Sequence, residues 1–247
     1  MKIWGDFHTH TLYSHGSGTI KDNVEAAIKK GLKEIAICDH GPGHYMYGAK
    51  KEKLFEMRKE IDMLNEEYKD RGIKILLGVE ANIIGYDGEI DVDNDVIEIL
   101  DILLVGFHYG VLFNSITDFL FMNVINPVSK VIPLFRDSII ERNTNAVIKA
   151  IERYPINMVT HPGDKVRLNI KKLAEVASKK GVVLEINEKH NQLSVENLKI
   201  ALGTNVNFCI SSDAHKPEDV GDVGEAIERV KKANIPVNRI INLVGEQ

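Results

Sequence analysis

The chain is predicted to be an α/β protein built on a parallel sheet, and three observations carry that expectation. Short apolar runs alternate with longer amphipathic stretches along its length. The alternation is strand then helix, the order that yields parallel pairing. There are seven strand candidates in 247 residues, which suggests a barrel, although an open doubly wound sheet fits the same pattern.

The strand candidates are residues 3–7, 34–38, 74–79, 102–106, 157–160, 182–186 and 207–211. Helix patterns fall between them. The first spans 20–30, with Thr19 and Asp22 spaced as a capping box and Gly31 as the stop. The second spans 51–71 and ends at Gly72. Helices over 138–154, 170–180 (closed by Gly181), 194–202 and 223–233 follow. No linker rich in Pro, Gly or Ser interrupts the series, so residues 1–247 read as a single domain.

One stretch does not fit the rhythm. Residues 111–135 are apolar, but Asp118, Lys130, Pro127, Pro133 and three asparagines break them up. A membrane-spanning helix needs roughly 20 mostly apolar residues, so the stretch reads as a helical insertion packed on the domain or on a second subunit.

Composition narrows the function classes. The formal net charge is -5 and the pI about 6.0, against a nucleic-acid surface, which needs clustered cations. Cys38 and Cys209 lie in apolar runs and read as buried core thiols of a reducing compartment. The chain enters its first strand almost at once, without a signal-peptide pattern, and a cytoplasmic location is expected.

The polar residues carry the chemistry. Asp6 lies near the end of the first strand and His8, His10 and His15 follow it; Asp39 and His40 follow the second; Glu80 ends the third. His108 follows the fourth, His161 the fifth, Glu185 and Asn187 end the sixth, and Asp213 and His215 follow the seventh. In a parallel barrel the C-terminal strand ends gather the active site, so these residues converge on one rim. His8 and His10 are two apart, as are Asp213 and His215, and residues two apart on a strand face the same way. Imidazole with carboxylate suits Zn, Mn or Fe, and Glu80 has two oxygens with which to bridge two ions. Nine ligand candidates (His8, His10, His15, His40, Glu80, His108, His161, Asp213 and His215) exceed what one ion uses and suffice for two or three. Each has a bland alternative: a hydrogen-bonded loop histidine, a helix cap at Asp213, loop braces at Asp6 and Asp39. Independent bland causes would not place all of them at the same end of successive strands.

The motifs DFHTHTLYSHGSGT (6–19), ICDHG (37–41), GVE (78–80), GFH (106–108), THPG (160–163), LEIN (184–187) and SSDAH (211–215) resemble, in order, those of the PHP (polymerase and histidinol phosphatase) family, most closely its small stand-alone phosphatases. The resemblance implies a distorted seven-stranded (β/α) TIM-like barrel with a trinuclear site. It implies that His8, His10, Glu80 and Asp213 hold one ion, that Glu80, His108 and His161 hold a second, and that His15, His40 and His215 hold a third. The expected activity is phosphate-ester hydrolysis of a small phosphorylated substrate, with a metal-bound hydroxide as nucleophile and no catalytic side chain beyond the ligands. No G-x-S-x-G signature and no P-loop is evident. Arg167, Lys189 and His190 are candidate phosphate binders, with His44 and Lys50 in a neighbouring loop. Asp6, Asp39 and Asn187 are candidates to hold the ligands' second ring nitrogens. An amidohydrolase-type hydrolase, a phosphodiesterase or exonuclease, and a non-catalytic metal-binding module are the alternatives; a homo-oligomer is compatible with all of them.

Overall fold

The computed structural model describes residues 1–132 and 136–244. A short strand β1 (Lys2–Ile3) pairs antiparallel with β9 (Leu243–Val244) near the two chain ends. The main sheet contains β2 (Gly5–Thr9), β3 (Glu34–His40), β4 (Lys74–Asn82), β5 (Ile102–Gly106), β6 (Met158–Val159), β7 (Val183–Asn187) and β8 (Phe208–Ser211). All seven are parallel and each pairs with its sequence neighbour, from β2 through to β8. A doubly wound sheet would reverse its strand order partway, and this one does not. The ring nearly closes between its first and last strands: Thr9 bridges Ala214, and the His10 amide donates to the Ala214 carbonyl at 2.8 Å. The expected distorted (β/α)7 TIM-like barrel is what forms.

Helices α1 (Ile20–Lys29), α2 (Lys51–Glu67), α6 (Arg136–Arg153), α7 (Ile170–Lys180), α8 (Val195–Leu202) and α9 (Gly224–Ala233) fill the intervals. The cap signals act as read. Thr19 accepts from the Asp22 amide at 3.1 Å while Asp22 accepts from the Thr19 amide at 2.9 Å. Gly181 ends α7 at φ 72°, a left-handed turn suited to glycine. Short α3 (Asn94–Ile97) has no counterpart in the sequence reading.

Residues 111–132 contain α4 (Ile116–Leu120), a π-helical turn (Phe121–Ile125) and α5 (Asn126–Val131); residues 133–135 of the stretch read as a helical insertion lie outside the described residues. Phe121 and Met122 face inward, and Asn126 pairs with Asn143 of α6 at 2.7 Å. No helix among the described residues is long and apolar enough to cross a membrane.

Alternation along the strands positions the site. Ala36, Cys38, Leu76, Leu104, Met158 and Cys209 pack together as the barrel's inner core. Residues two or four further along those strands are His40, Glu80, His108, Thr160 and Asp213, so the functional positions continue the inward-facing columns. Strand β2 changes phase. Its register against β3 shifts between Asp6 and Thr9, so that Phe7 belongs to the inner core and His8 and His10 also point inward above it. Several predicted bounds move: the first strand splits at Trp4, and His8, Asp39, His40 and Glu80 lie within strands rather than past their ends.

Candidate metal centre

All nine histidines of the chain gather at the C-terminal end of the barrel. Glu80, only 1% exposed, is the hub. Its Oε1 lies 2.8 Å from His161 Nε2, 3.1 Å from His108 Nε2 and 3.4 Å from His8 Nε2. Its Oε2 lies 2.9 Å from His40 Nδ1 and 3.7 Å from His10 Nε2. Four groups have donor atoms within ligating reach of one another: His8/His10/Asp213, Glu80/His108/His161, His10/His40/Glu80 and His10/His15/His215. The nine positions expected as ligands are thus brought together. The grouping differs in one respect: His40 sits against Glu80 and His10, while His15 and His215 converge with His10. His15 and His40 nevertheless stack, with ring centroids 4.8 Å apart.

Side chains behind the ligands fix their orientation. Glu185 Oε1 lies 2.7 Å from His8 Nδ1, and its Oε2 accepts from the His161 amide at 2.6 Å. Asn187 donates to both Glu185 and Asp213 at 3.0 Å. Asn82 donates its amide N–H to Asp91, which leaves its Oδ1 to accept from His108 Nδ1 at 2.7 Å. His108 then presents an unprotonated Nε2, the ligating form. Of the three residues expected to hold ligand rings, Asp6 and Asp39 hold none. Asp6 braces the Ser212 amide and hydroxyl and the Gly221 amide, and Asp39 braces Thr11 and Ser14. Asn187 acts on the Asp213 carboxylate instead of a ring. His161 (φ 26°) and Asp213 (φ 54°) both occupy the left-handed region, which non-glycine residues seldom enter. Hydrogen bonds hold His161 there through its amide and Asp213 through its carboxylate.

The electrostatics favour cation binding. Burial is the largest influence on each of these groups. It pushes His108 and His15 down to about 4, and His10 well below its usual value, so those imidazoles are neutral. Burial alone would raise Glu80 and Asp213, but neighbouring histidines (chiefly His108 for Glu80 and His8 for Asp213) hold both well below the usual carboxylate range. At His8, burial is outweighed by Glu185, Glu80 and Asp213, which raise its pKa well above normal. Two ionised carboxylates, Glu80 and Asp213, therefore meet the neutral imidazoles of His10, His15 and His108, and buried carboxylates so placed favour cations. Two buried atoms bear this out. His40 Nδ1 and Asp213 Oδ1 make no hydrogen bond, although they lie 2.9 Å from Glu80 Oε2 and 3.2 Å from His10 Nε2. Donor atoms that converge without sharing protons fit divalent ions of the N/O-ligand class.

The groups open onto a cavity of about 260 Å³ lined also by His44, Tyr47, Tyr109, Lys165 and His190. Of the three expected phosphate binders, only His190 lines it. Lys189 is exposed at the edge, its Nζ 3.3 Å from His215 Nδ1. Arg167 is exposed and outside the cavity, and its carbonyl accepts from Asn143. Sequence reasoning missed Glu185 and Asn82 as ring holders, although both sit on the inward parity of β7 and β4, which was a usable signal. Tyr47, Tyr109 and Lys165 gave none.

Fold and site together define a metal-binding TIM-like barrel. The PHP domain model matches residues 6–189, and the chain belongs to that family. It is 34% identical over 98% of its length, and 91% of the relative's, to a protein named "Probable phosphatase" from Thermoanaerobacter sp. (strain X514). It is 30% identical over 98% of its length, and 90% of the relative's, to one of the same name from Shewanella piezotolerans. Among solved structures, the histidinol phosphate phosphatase of Lactococcus lactis, complexed with zinc, L-histidinol and phosphate, shares the fold with a TM-score of 0.58, at 18% identity over 94% of each chain.

Proposed function

We propose that this protein is a metal-dependent phosphatase that hydrolyses small phosphate monoesters, with two to three divalent ions (Zn, Mn or Fe) held by His8, His10, His15, His40, Glu80, His108, His161, Asp213 and His215. The observation that carries the reading is the convergence of five imidazoles on the two oxygens of the buried Glu80. When bound, such ions neutralise phosphate oxygens and lower the pKa of water toward about 7. The chain's own residues do the rest. Neutral His108 and His15 supply lone pairs, Glu185 and Asn82 lock the rings, and the cavity admits the ester from the His15/His215 side, where the ligands are least buried. Neither cysteine is placed as a nucleophile: both are buried in the core, and burial pushes their thiols up, away from reactivity.

The test is hydrolysis of p-nitrophenyl phosphate by purified protein, after chelation and after adding back each metal, with a panel of phosphorylated metabolites including histidinol phosphate. Turnover restored by metal, and lowered at least roughly 100-fold in Glu80→Gln by loss of the central charge, supports the reading. Full turnover in the metal-free protein would overturn it.

A further inference from the structure

Resting on the phosphatase reading, we propose that Lys165, set by Asp164, is a binding residue that selects phosphate monoesters over diesters. The loop after β6 turns back on itself. His161 takes φ 26° and Gly163 φ 96°, and the Asp164 amide donates to the His161 carbonyl at 3.1 Å. That turn brings position 165, not 167, to the cavity. Among the described residues that line the cavity, Lys165 is the one lysine or arginine. Tyr109, which also lines the cavity, fixes its backbone by donating to the Lys165 carbonyl at 3.3 Å.

Asp164 positions the side chain. Its carboxylate is only 9% exposed and has two partners: Oδ2 lies 2.6 Å from Lys165 Nζ, and Oδ1 lies 3.2 Å from His190 Nδ1. The Oδ2 contact holds the ammonium in place and occupies one of its three N–H groups. The ammonium, 28% exposed, keeps donors for a ligand. It stands on the same cavity as His161, Asp213 and His215.

The charge count gives the selectivity. A monoester near neutral pH carries close to two negative charges and three unsubstituted oxygens, since its second pKa is about 6. A diester carries one charge and two such oxygens. A fixed lysine beyond the metal groups meets the additional oxygen and charge of the monoester, and a diester has nothing to offer it at that position.

The experiment compares p-nitrophenyl phosphate with methyl p-nitrophenyl phosphate, which share a leaving group, in wild type, Lys165→Met, Lys165→Arg and Asp164→Asn. Metal content is assayed alongside. Lys165→Met is expected to lower kcat/KM for the monoester roughly 10- to 100-fold, mainly through KM, and to leave the diester within about three-fold, with metal content unchanged. Lys165→Arg recovers most of the loss, and Asp164→Asn shows a smaller loss of the same kind. Calorimetry gives a second readout: inorganic phosphate binds more weakly to Lys165→Met, and dimethyl phosphate does not. Equal losses on both esters, or no loss on the monoester, overturn the proposal and leave the phosphatase reading standing. If wild type hydrolyses neither ester with any metal, the phosphatase reading falls and this one with it.

Discussion

Glu80 gathers the site only because other residues hold its partners still. His8 is the clearest case: its Nδ1 lies 2.7 Å from Glu185, so its Nε2 must face the cluster. Removing a carboxylate behind a ligating histidine typically weakens metal affinity 10- to 100-fold. Glu185→Gln keeps the shape and the acceptor but loses the charge and puts an N–H against either His8 Nδ1 or the His161 amide. Its metal affinity, measured by chelator competition, should fall by roughly that factor; an unchanged affinity would mean that Glu185 serves only the barrel. The convergence of the candidate ligands was legible in the sequence because strand parity fixes which way residues point, and His40, Glu80, His108 and Asp213 all stand on inward columns. The cavity's cationic lining was legible only in part, His190 being foreseen and Lys165 not, because loop direction depends on turn geometry. The back-turn at His161 and Gly163 selects Lys165 over the equally plausible Arg167.

At the scale of elements, the clamp at Asp91 joins two strand ends. Its Oδ1 accepts from the Asn82 amide at 2.8 Å, and its Oδ2 from the Gly43 amide at 2.8 Å and the Asn82 side chain. It thereby ties the end of β4 to the loop after β3. The approach is close enough that a Cβ at Gly41 would lie 2.4 Å from the carboxylate oxygens, which explains a glycine there. Burial raises Asp91 to about 6, although the hydrogen bonds from Asn82 and Gly43 oppose it. The sign follows. The folded state holds this proton up to about pH 6, whereas the unfolded chain releases it near the ordinary 3.8. Asp91 thus favours the fold most below that lower value, and its contribution declines as pH rises through about 4 to 6, then stays level. Asp91→Asn places an N–H against a backbone N–H and should cost about 1–3 kcal/mol at pH 7. Because only wild type gains from the proton, its stability margin over the variant should widen as pH falls from 6 to 4. Urea unfolding of both proteins at pH 4, 5 and 7 checks this, and a margin constant with pH would remove Asp91 as the titrating group. The clamp was beyond sequence reasoning, as was the phase change in β2, since both arise from pairing between distant segments. The strand–helix order itself was legible because each element carries its own periodicity and caps.

For the molecule as a whole, stability and metal binding are linked through the same end of the barrel. The nearly closed ring places Glu80 and Asp213 in a buried region where their charges face the neutral imidazoles of His10 and His108. In the unfolded chain those groups are dispersed and hydrated, so ions that bind only the folded arrangement stabilise it by mass action. One ion at 100 times its dissociation constant adds about 2.7 kcal/mol. For a chain of this size each kcal/mol moves Tm by about 2–4 °C. Chelation should therefore lower Tm by about 5–10 °C for each ion removed, and adding back Zn, Mn or Fe should restore it. Scanning calorimetry with and without chelator, at fixed protein concentration and pH, measures this without any assumption about substrate. A Tm indifferent to chelator and to added metal would mean that the cluster is stable as a network of hydrogen bonds and ion pairs, and the metal reading of the site would fail at its base.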